Sequence, residues 1–199
     1  MSRRTFFCFH YKRDVHRAHV VRNSWVTKPD REDAGFFDSS VFESKQRTSD
    51  DALKRFLNEG LVGSSVTCVL IGNETAWRRW VRYELLRSFV EGKGLLGISI
   101  HSIARFNEGP DNQGPNPFAL LGFEIRDQTL YFKEWDGQTR QWIWSPDLWG
   151  MPVADVRYDL RRLTDTTFDQ LFPVYDWSAG DGYNNIGRWV KAAAQAVGR

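Results

Sequence analysis

The segment Ser65–Gly72 (Ser-Val-Thr-Cys-Val-Leu-Ile-Gly) is apolar almost throughout and dense in β-branched residues. A strand of that kind belongs inside a sheet covered on both faces, because a half-exposed strand alternates polar with apolar residues. Two further runs share this character. Thr5–Tyr11 is nearly all apolar and aromatic, and Leu95–His101 follows a Gly92, Gly94 break. The segments between them have helical spacing. Val15–Trp25 follows Asp14, a candidate N-cap. Thr48-Ser49-Asp50 opens a helix to about Glu59, with Leu53, Phe56 and Leu57 inward and Gly60 closing it; Trp77–Glu91 forms a third. Ala34–Asp38 is a short strand candidate ending on an acid. Strand and helix alternating over short connections predict a parallel sheet with helices on both faces.

The second half departs from that rhythm. Asn107–Pro117 is a turn-rich loop. Phe123–Ile125, Thr129–Trp135 and Gln141–Trp144 read as strands, with Asp127-Gln128 and Asp136-Gly137 as turns, the latter a favoured hairpin dipeptide. A final helix carries Ile186, Trp189, Val190 and Ala193 at helical spacing. The expectation is one α/β domain over residues 1–199. It has a core at about 4–105, a β-hairpin elaboration at about 120–145 and a C-terminal helix at about 183–197.

Composition removes several classes of function. Lys+Arg 27 against Asp+Glu 25 leaves no basic excess, and the Arg-Arg pairs are scattered, so neither a positive stripe nor nucleic-acid binding is expected. Cys8 and Cys68 each lie in a strand-like run and read as buried free thiols. No run approaches the roughly 18 apolar residues of a spanning helix, and no signal peptide is read. A soluble, cytoplasmic protein without membrane contact is expected. P-loop, Gly-x-Gly-x-x-Gly and Gly-x-Ser-x-Gly motifs are absent, and the four histidines lack metal-ligand spacing. No metal and no cofactor are therefore expected.

In open α/β sheets ligands bind beyond the carboxyl ends of the strands. The polar residues falling there are His10 and Tyr11, Asp38, Asn73 and Glu74, and His101 and Ser102. Glu84 joins them from its helix if the first turns of that helix lie at the rim. It stands one turn after Trp80, on the same face. Each has a plain alternative. The histidines fit structural hydrogen bonds, Asp38 a cap of the Ser39-Ser40 turn, and Glu84 an ion pair with Arg78, Arg79 or Arg87. The residues themselves leave both readings of Glu84 open.

Taken in order, the runs resemble a known family. Trp80-x-x-x-Glu84, on the helix after the third apolar strand, is similar to the motif of TIR domains. The opening Phe6-Phe7-Cys8-Phe9-His10-Tyr11 resembles the TIR first strand and its loop. Closer still, several runs resemble the TIR-like ThsB family of Thoeris anti-phage defence. These are Phe9-His10-Tyr11, the stretch from Val20 to Lys28, Ser65–Gly72, Arg78–Glu84, Gly114–Phe118, and Tyr175-Asp176-Trp177 with Asp181–Asn184. The matches run from residue 5 to about 190, and are looser in Phe123–Trp144.

The resemblance implies a flavodoxin-like TIR fold and an enzyme that senses infection and converts NAD⁺, its substrate, to a cyclic ADP-ribose isomer with release of nicotinamide. That signal activates a separate NAD-depleting effector, ThsA. The family's catalytic glutamate maps onto Glu84. Phe9, His10 and Tyr11 map beside the nicotinamide ribose, with Asn23 and Asp38 nearby and Trp80 as an aromatic wall. A phage component as trigger and self-association are further implied partners. The competing readings are a non-catalytic TIR-like scaffold and a nucleoside deoxyribosyltransferase-like enzyme.

Overall fold

A computed structural model describes residues 4–26, 49–104, 109–161 and 163–199. Its main sheet contains β1 (Thr5–Phe9), β2 (Val66–Ile71), β3 (Gly94–Ser99) and, from far along the chain, β9 (Val174–Asp176). They lie in the order β1-β2-β3-β9 and every pairing is parallel. The α/β class expected from the apolar runs holds. The strand candidate Ala34–Asp38 falls outside the described residues.

Side chains alternate across this sheet as the pleat requires. Phe6, Cys8, Val69, Ile71 and Leu95 enter one core with α3 (Arg79–Val90). Phe7, Val66, Cys68, Leu70, Leu96 and Ile98 enter another with α1 (Tyr11–Val26) and α4 (Gly182–Gln195). The Tyr175 and Trp189 rings stack at 4.3 Å and hold α4 onto β9. At Gly94 an added Cβ would come within 2.4 Å of the Ala193 carbonyl, so α4 lies backbone against backbone on β3 there. Both cysteines are buried and free, and burial raises both thiols above their usual range.

The hairpin expected at about 120–145 is part of something larger. β4 (Leu121–Arg126), β5 (Thr129–Asp136), β6 (Gln141–Trp144), β7 (Gly150–Pro152) and β8 (Asp165–Thr167) make a five-stranded antiparallel sheet. The short β7 and β8, and β9 in the main sheet, carry too few residues for a period to show. Phe89 of α3 packs this second sheet against the helix. Its ring meets Phe123, Phe132, Tyr158, Phe168 and Phe172 at centroid distances of 4.4 to 6.3 Å.

Several boundaries differ from the sequence reading, each for a local reason. β1 ends at Phe9 and α1 begins at Tyr11, so Asp14 is inside the first turn and not the N-cap. Ser49 does cap α2 (Asp50–Leu61), its hydroxyl accepting from the Ala52 N–H at 3.2 Å. Gly60 does not close that helix; it continues to Leu61, and the left-handed residue is Gly63 at φ +77°. The Trp77–Glu91 helix splits into a 3-10 turn, Thr75–Trp77, followed by α3. Asp127 and Gln128 both take positive φ, as a tight hairpin turn needs. Asp136-Gly137 forms no such dipeptide turn. There Asp136 caps the Gln138 N–H and Thr139 hydroxyl, and Arg140 takes the left-handed conformation.

Candidate active site

The carboxyl ends of β1 and β2 open onto a cleft of about 560 Å³. Its lining comes from three segments that the parallel topology brings together. His10, Lys12, Arg13 and Arg17 come from the end of β1 and the start of α1. Glu74 and Arg78 follow β2, and Gly109, Pro110 and Asp111 come from the turn-rich loop.

The rim is tied by charged hydrogen bonds. Arg13 makes a two-pronged contact with Asp111, at 2.9 and 3.0 Å, and a third bond to Glu74 at 2.9 Å. These contacts hold the Asp111 carboxyl below its ordinary range. Glu74 also pairs with Arg78. Behind Arg13, the fully buried Asp14 accepts from Arg17 at 3.3 Å and from the Thr75 hydroxyl at 3.4 Å. Burial raises the Asp14 carboxyl despite the Arg17 charge. The same carboxylate explains Gly72, whose added Cβ would stand 2.1 Å from Asp14 Oδ2. Gly114 in turn lies so near the Gly72 and Asn73 carbonyls that no side chain fits. The loop is thus seated on the end of β2, with the Asp111 N–H donating to the His101 carbonyl at 2.8 Å.

His10 faces this cleft as a neutral imidazole. Burial, with Arg78, Arg13 and Lys12 nearby, lowers its pKa to about 4. The Glu74 carboxylate 3.9 Å from its Nδ1 is too distant to hydrogen-bond and does not reverse that shift.

Glu84 lies in the second turn of α3 and is 5% exposed. Among the described residues no hydrogen bond or ion pair reaches it. The arginines proposed as its surface partners are engaged elsewhere: Arg78 with Glu74, Arg79 with Asp147 and Asp50, and Arg87 with Glu91. The surface-pair reading therefore falls. Burial drives the Glu84 carboxyl well above the ordinary carboxylate range, and its charge in turn opposes ionisation of Cys8. One turn on, Ser88 shares a hydrogen bond of 2.8 Å with Thr67 of β2, which fixes this face of α3 toward the sheet. Glu84 is not itself among the residues lining the cleft. Its charge reaches Cys8 of β1, and His10 follows just past the end of that strand, two residues on.

The other candidates scatter. Phe9 and Tyr11 are half-buried with their rings 6.0 Å apart, but neither lines the cleft, and Phe9 packs against the core on the α1 side of the sheet. Trp80 turns away from it, packing with Leu53, Leu57 and Tyr83 against α2, under the Arg79 guanidinium at 4.5 Å. Asn23 is exposed, about 18 Å along α1 from Tyr11. Asp38 lies outside the described residues. His101 bonds Ser99 at 2.8 Å, and Ser102 bonds Ser178 at the same distance. Sequence reasoning missed Arg13, Arg17, Arg78, Asp14 and Asp111. The available signal was an Arg-Asp pair following β1 and an acid within the Gly-Pro loop; which carboxylate meets which guanidinium is set by topology.

A parallel sheet with helices on both faces, a rim cleft beyond β1 and β2, and a buried glutamate on the helix after β2 define a TIR-like protein. Residues 6–105 match the family model described as Thoeris protein ThsB, TIR-like domain, and the chain belongs to that family. It is 42% identical over 193 residues to a Bacillus cereus (strain MSX-D12) protein, ThsB1, provisionally named a cyclic ADP-D-ribose synthase. The similarity covers 96% of this chain and 100% of that protein. No helix among the described residues is long and apolar enough to cross a membrane.

Proposed function

We propose that the protein is a TIR enzyme of Thoeris defence that converts NAD⁺ to a cyclic ADP-ribose isomer with release of nicotinamide. The observation that carries this reading is Glu84, a buried carboxyl without an ion-pair partner on the helix that leads away from the rim cleft. A stability role would call for a compensating partner, since an unpaired buried carboxyl is costly to the fold. The relative's name points to the same chemistry.

Breaking the bond between nicotinamide and ribose develops positive charge on the sugar while a neutral base departs. An ionised Glu84 stabilises that charge, and does so more strongly where water is excluded. The positive nicotinamide ring of the bound substrate favours the ionised form, offsetting the upward shift that burial imposes. The buried setting of Glu84 keeps water from the reacting carbon. Attack then comes from an atom of the same molecule, giving a cyclic product. The product acts as a diffusible signal for the effector ThsA in the cytoplasm, with a phage component and self-association as inputs to activity.

The test is to incubate lysate of phage-challenged cells expressing the protein with NAD⁺ and to identify products by mass spectrometry and NMR. The expected result is nicotinamide plus a cyclic ADP-ribose isomer from the parent and neither from Glu84→Gln. Product formation by Glu84→Gln at the parent's rate would sink the assignment.

A further inference from the structure

One edge of the antiparallel sheet is open. Its strands lie in the order β6-β5-β4-β8, so β6 pairs with β5 on one side, and among the described residues no strand lies on its other side. The whole of β6 is exposed, with Trp142 at 38%, Ile143 at 43% and Trp144 at 42%. Edge strands are commonly guarded by a charge or a proline, and Gln-Trp-Ile-Trp has neither. The Ser145 N–H donates to the Phe132 carbonyl at 2.9 Å, which sets the phase of the ladder. Ile143 therefore turns its backbone groups to β5, and Trp142 and Trp144 turn theirs outward. The edge is already ordered. Trp142 meets Trp135 at 5.8 Å and Trp144 meets Tyr131 at 6.1 Å. Just beyond the strand, Asp147 pairs with Arg79 and Lys54 at 2.8 and 2.9 Å, so association has little left to immobilise.

We propose that β6 pairs with β6 of a second copy of the chain, antiparallel, about a two-fold axis through Ile143. A second copy is the occupant the strand fits, because its pattern is self-complementary. The axis sets Trp142 of one copy opposite Trp144 of the other, and the outward N–H and C=O groups of each pair meet as donor and acceptor. Ile143 then faces its own counterpart on one face of the joined sheet, and the tryptophans pair on the other. Charge permits the contact. A two-fold brings like groups together, and the cations over these rings are neutralised within each copy, Arg126 by Glu124 at 2.6 Å and Lys133 by Asp165. Covering the three apolar side chains removes roughly 200–300 Å² from each copy, less than a stable dimer needs, so association is weak and concentration-dependent. The strand lies outside the rim cleft, and its pairing does not depend on turnover of NAD⁺.

Sedimentation equilibrium of the whole purified protein tests this, with cysteine crosslinking to fix the register. The parent's mean mass rises toward that of a dimer between about 10 and 500 μM. Ile143→Lys, which sets like charges across the axis, stays monomeric over that range while melting like the parent. Under a mild oxidant such as diamide, Ile143→Cys forms a covalent dimer at least about tenfold faster than Gln141→Cys, whose two copies stand roughly 14 Å apart in this register. The buried Cys8 and Cys68 leave the parent uncrosslinked. A parent that stays monomeric throughout, a rise in mass that Ile143→Lys leaves unchanged, or equal crosslinking of the two cysteine variants overturns the proposal.

Discussion

Ser88 on α3 and Thr67 on β2 share a hydrogen bond of 2.8 Å, both side chains fully buried. This bond, worth about 1 kcal/mol net, fixes the rotation of α3 one turn beyond Glu84. It holds the carboxyl in a place it would not choose on solvation grounds.

Glu84→Gln should therefore be more stable than the parent while losing activity. With its native pKa raised, the Glu84 carboxyl costs stability as pH rises from the ordinary carboxylate value through the native one, because the folded state holds the proton more tightly. The neutral amide escapes that cost. Thermal melts at pH 5 and pH 8 should show the variant's gain at pH 8 and little difference at pH 5. A larger gain at pH 5 would contradict the assignment.

The same shift sets the pH dependence of catalysis. Glu84 must be ionised to stabilise the cationic transition state, and burial moves its ionisation upward. The acid limb of kcat/KM should therefore lie above the range of an ordinary carboxylate, with activity falling as pH drops through it. His10, already neutral down to about pH 4, should not contribute a limb near pH 6.5. A steady-state profile from pH 4.5 to 9 on parent and His10→Ala checks both points.

Phe89→Ala should cost about 3–5 kcal/mol, measured by urea unfolding. The ring is 1% exposed and touches Phe123 and Phe132 of the antiparallel sheet with Tyr158 and Phe168 beside them, so its loss leaves a cavity between α3 and that sheet. A cost below 1 kcal/mol would mean the antiparallel sheet does not depend on this contact.

Gly72→Ala should destabilise by about 1–3 kcal/mol, because its Cβ would occupy the space of the Asp14 carboxylate. Pairing it with Asp14→Ala should recover part of the loss, a coupling that a double-mutant cycle reads directly. Additive losses would show that the steric conflict is absent.

The parallel core was legible because its strands announce themselves. Ser65–Gly72 and Leu95–His101 are apolar runs long enough to carry a signal; β2 lies inside the first, and β3 overlaps the second but starts one residue earlier, at Gly94. Ser49 was legible as a cap from chemistry alone. Gly60 misled because a glycine near a helix end resembles a stop, whereas the left-handed turn falls at Gly63. Three-residue strands such as Val174–Asp176 have no period of their own; their pairing is tertiary. Glu84 could be named through its resemblance to a family, yet its burial and lack of a partner could not be read from helical spacing. The arginine and carboxylate ring of the cleft was invisible for a related reason, since Arg13, Glu74 and Asp111 meet only when three distant segments fold together.

The pairing of β3 with β9 links Gly97 to Val174, and the whole antiparallel sheet lies between them in the chain. Closing so long a loop from a disordered coil is slow and costs entropy. A compact second sheet, docked on Phe89, shortens the effective distance and delivers residue 174 to the open edge of β3. Until it does, that edge offers unpaired backbone groups to any passing strand. Shortening the insertion should therefore show first as aggregation during synthesis, before any defect in the finished site.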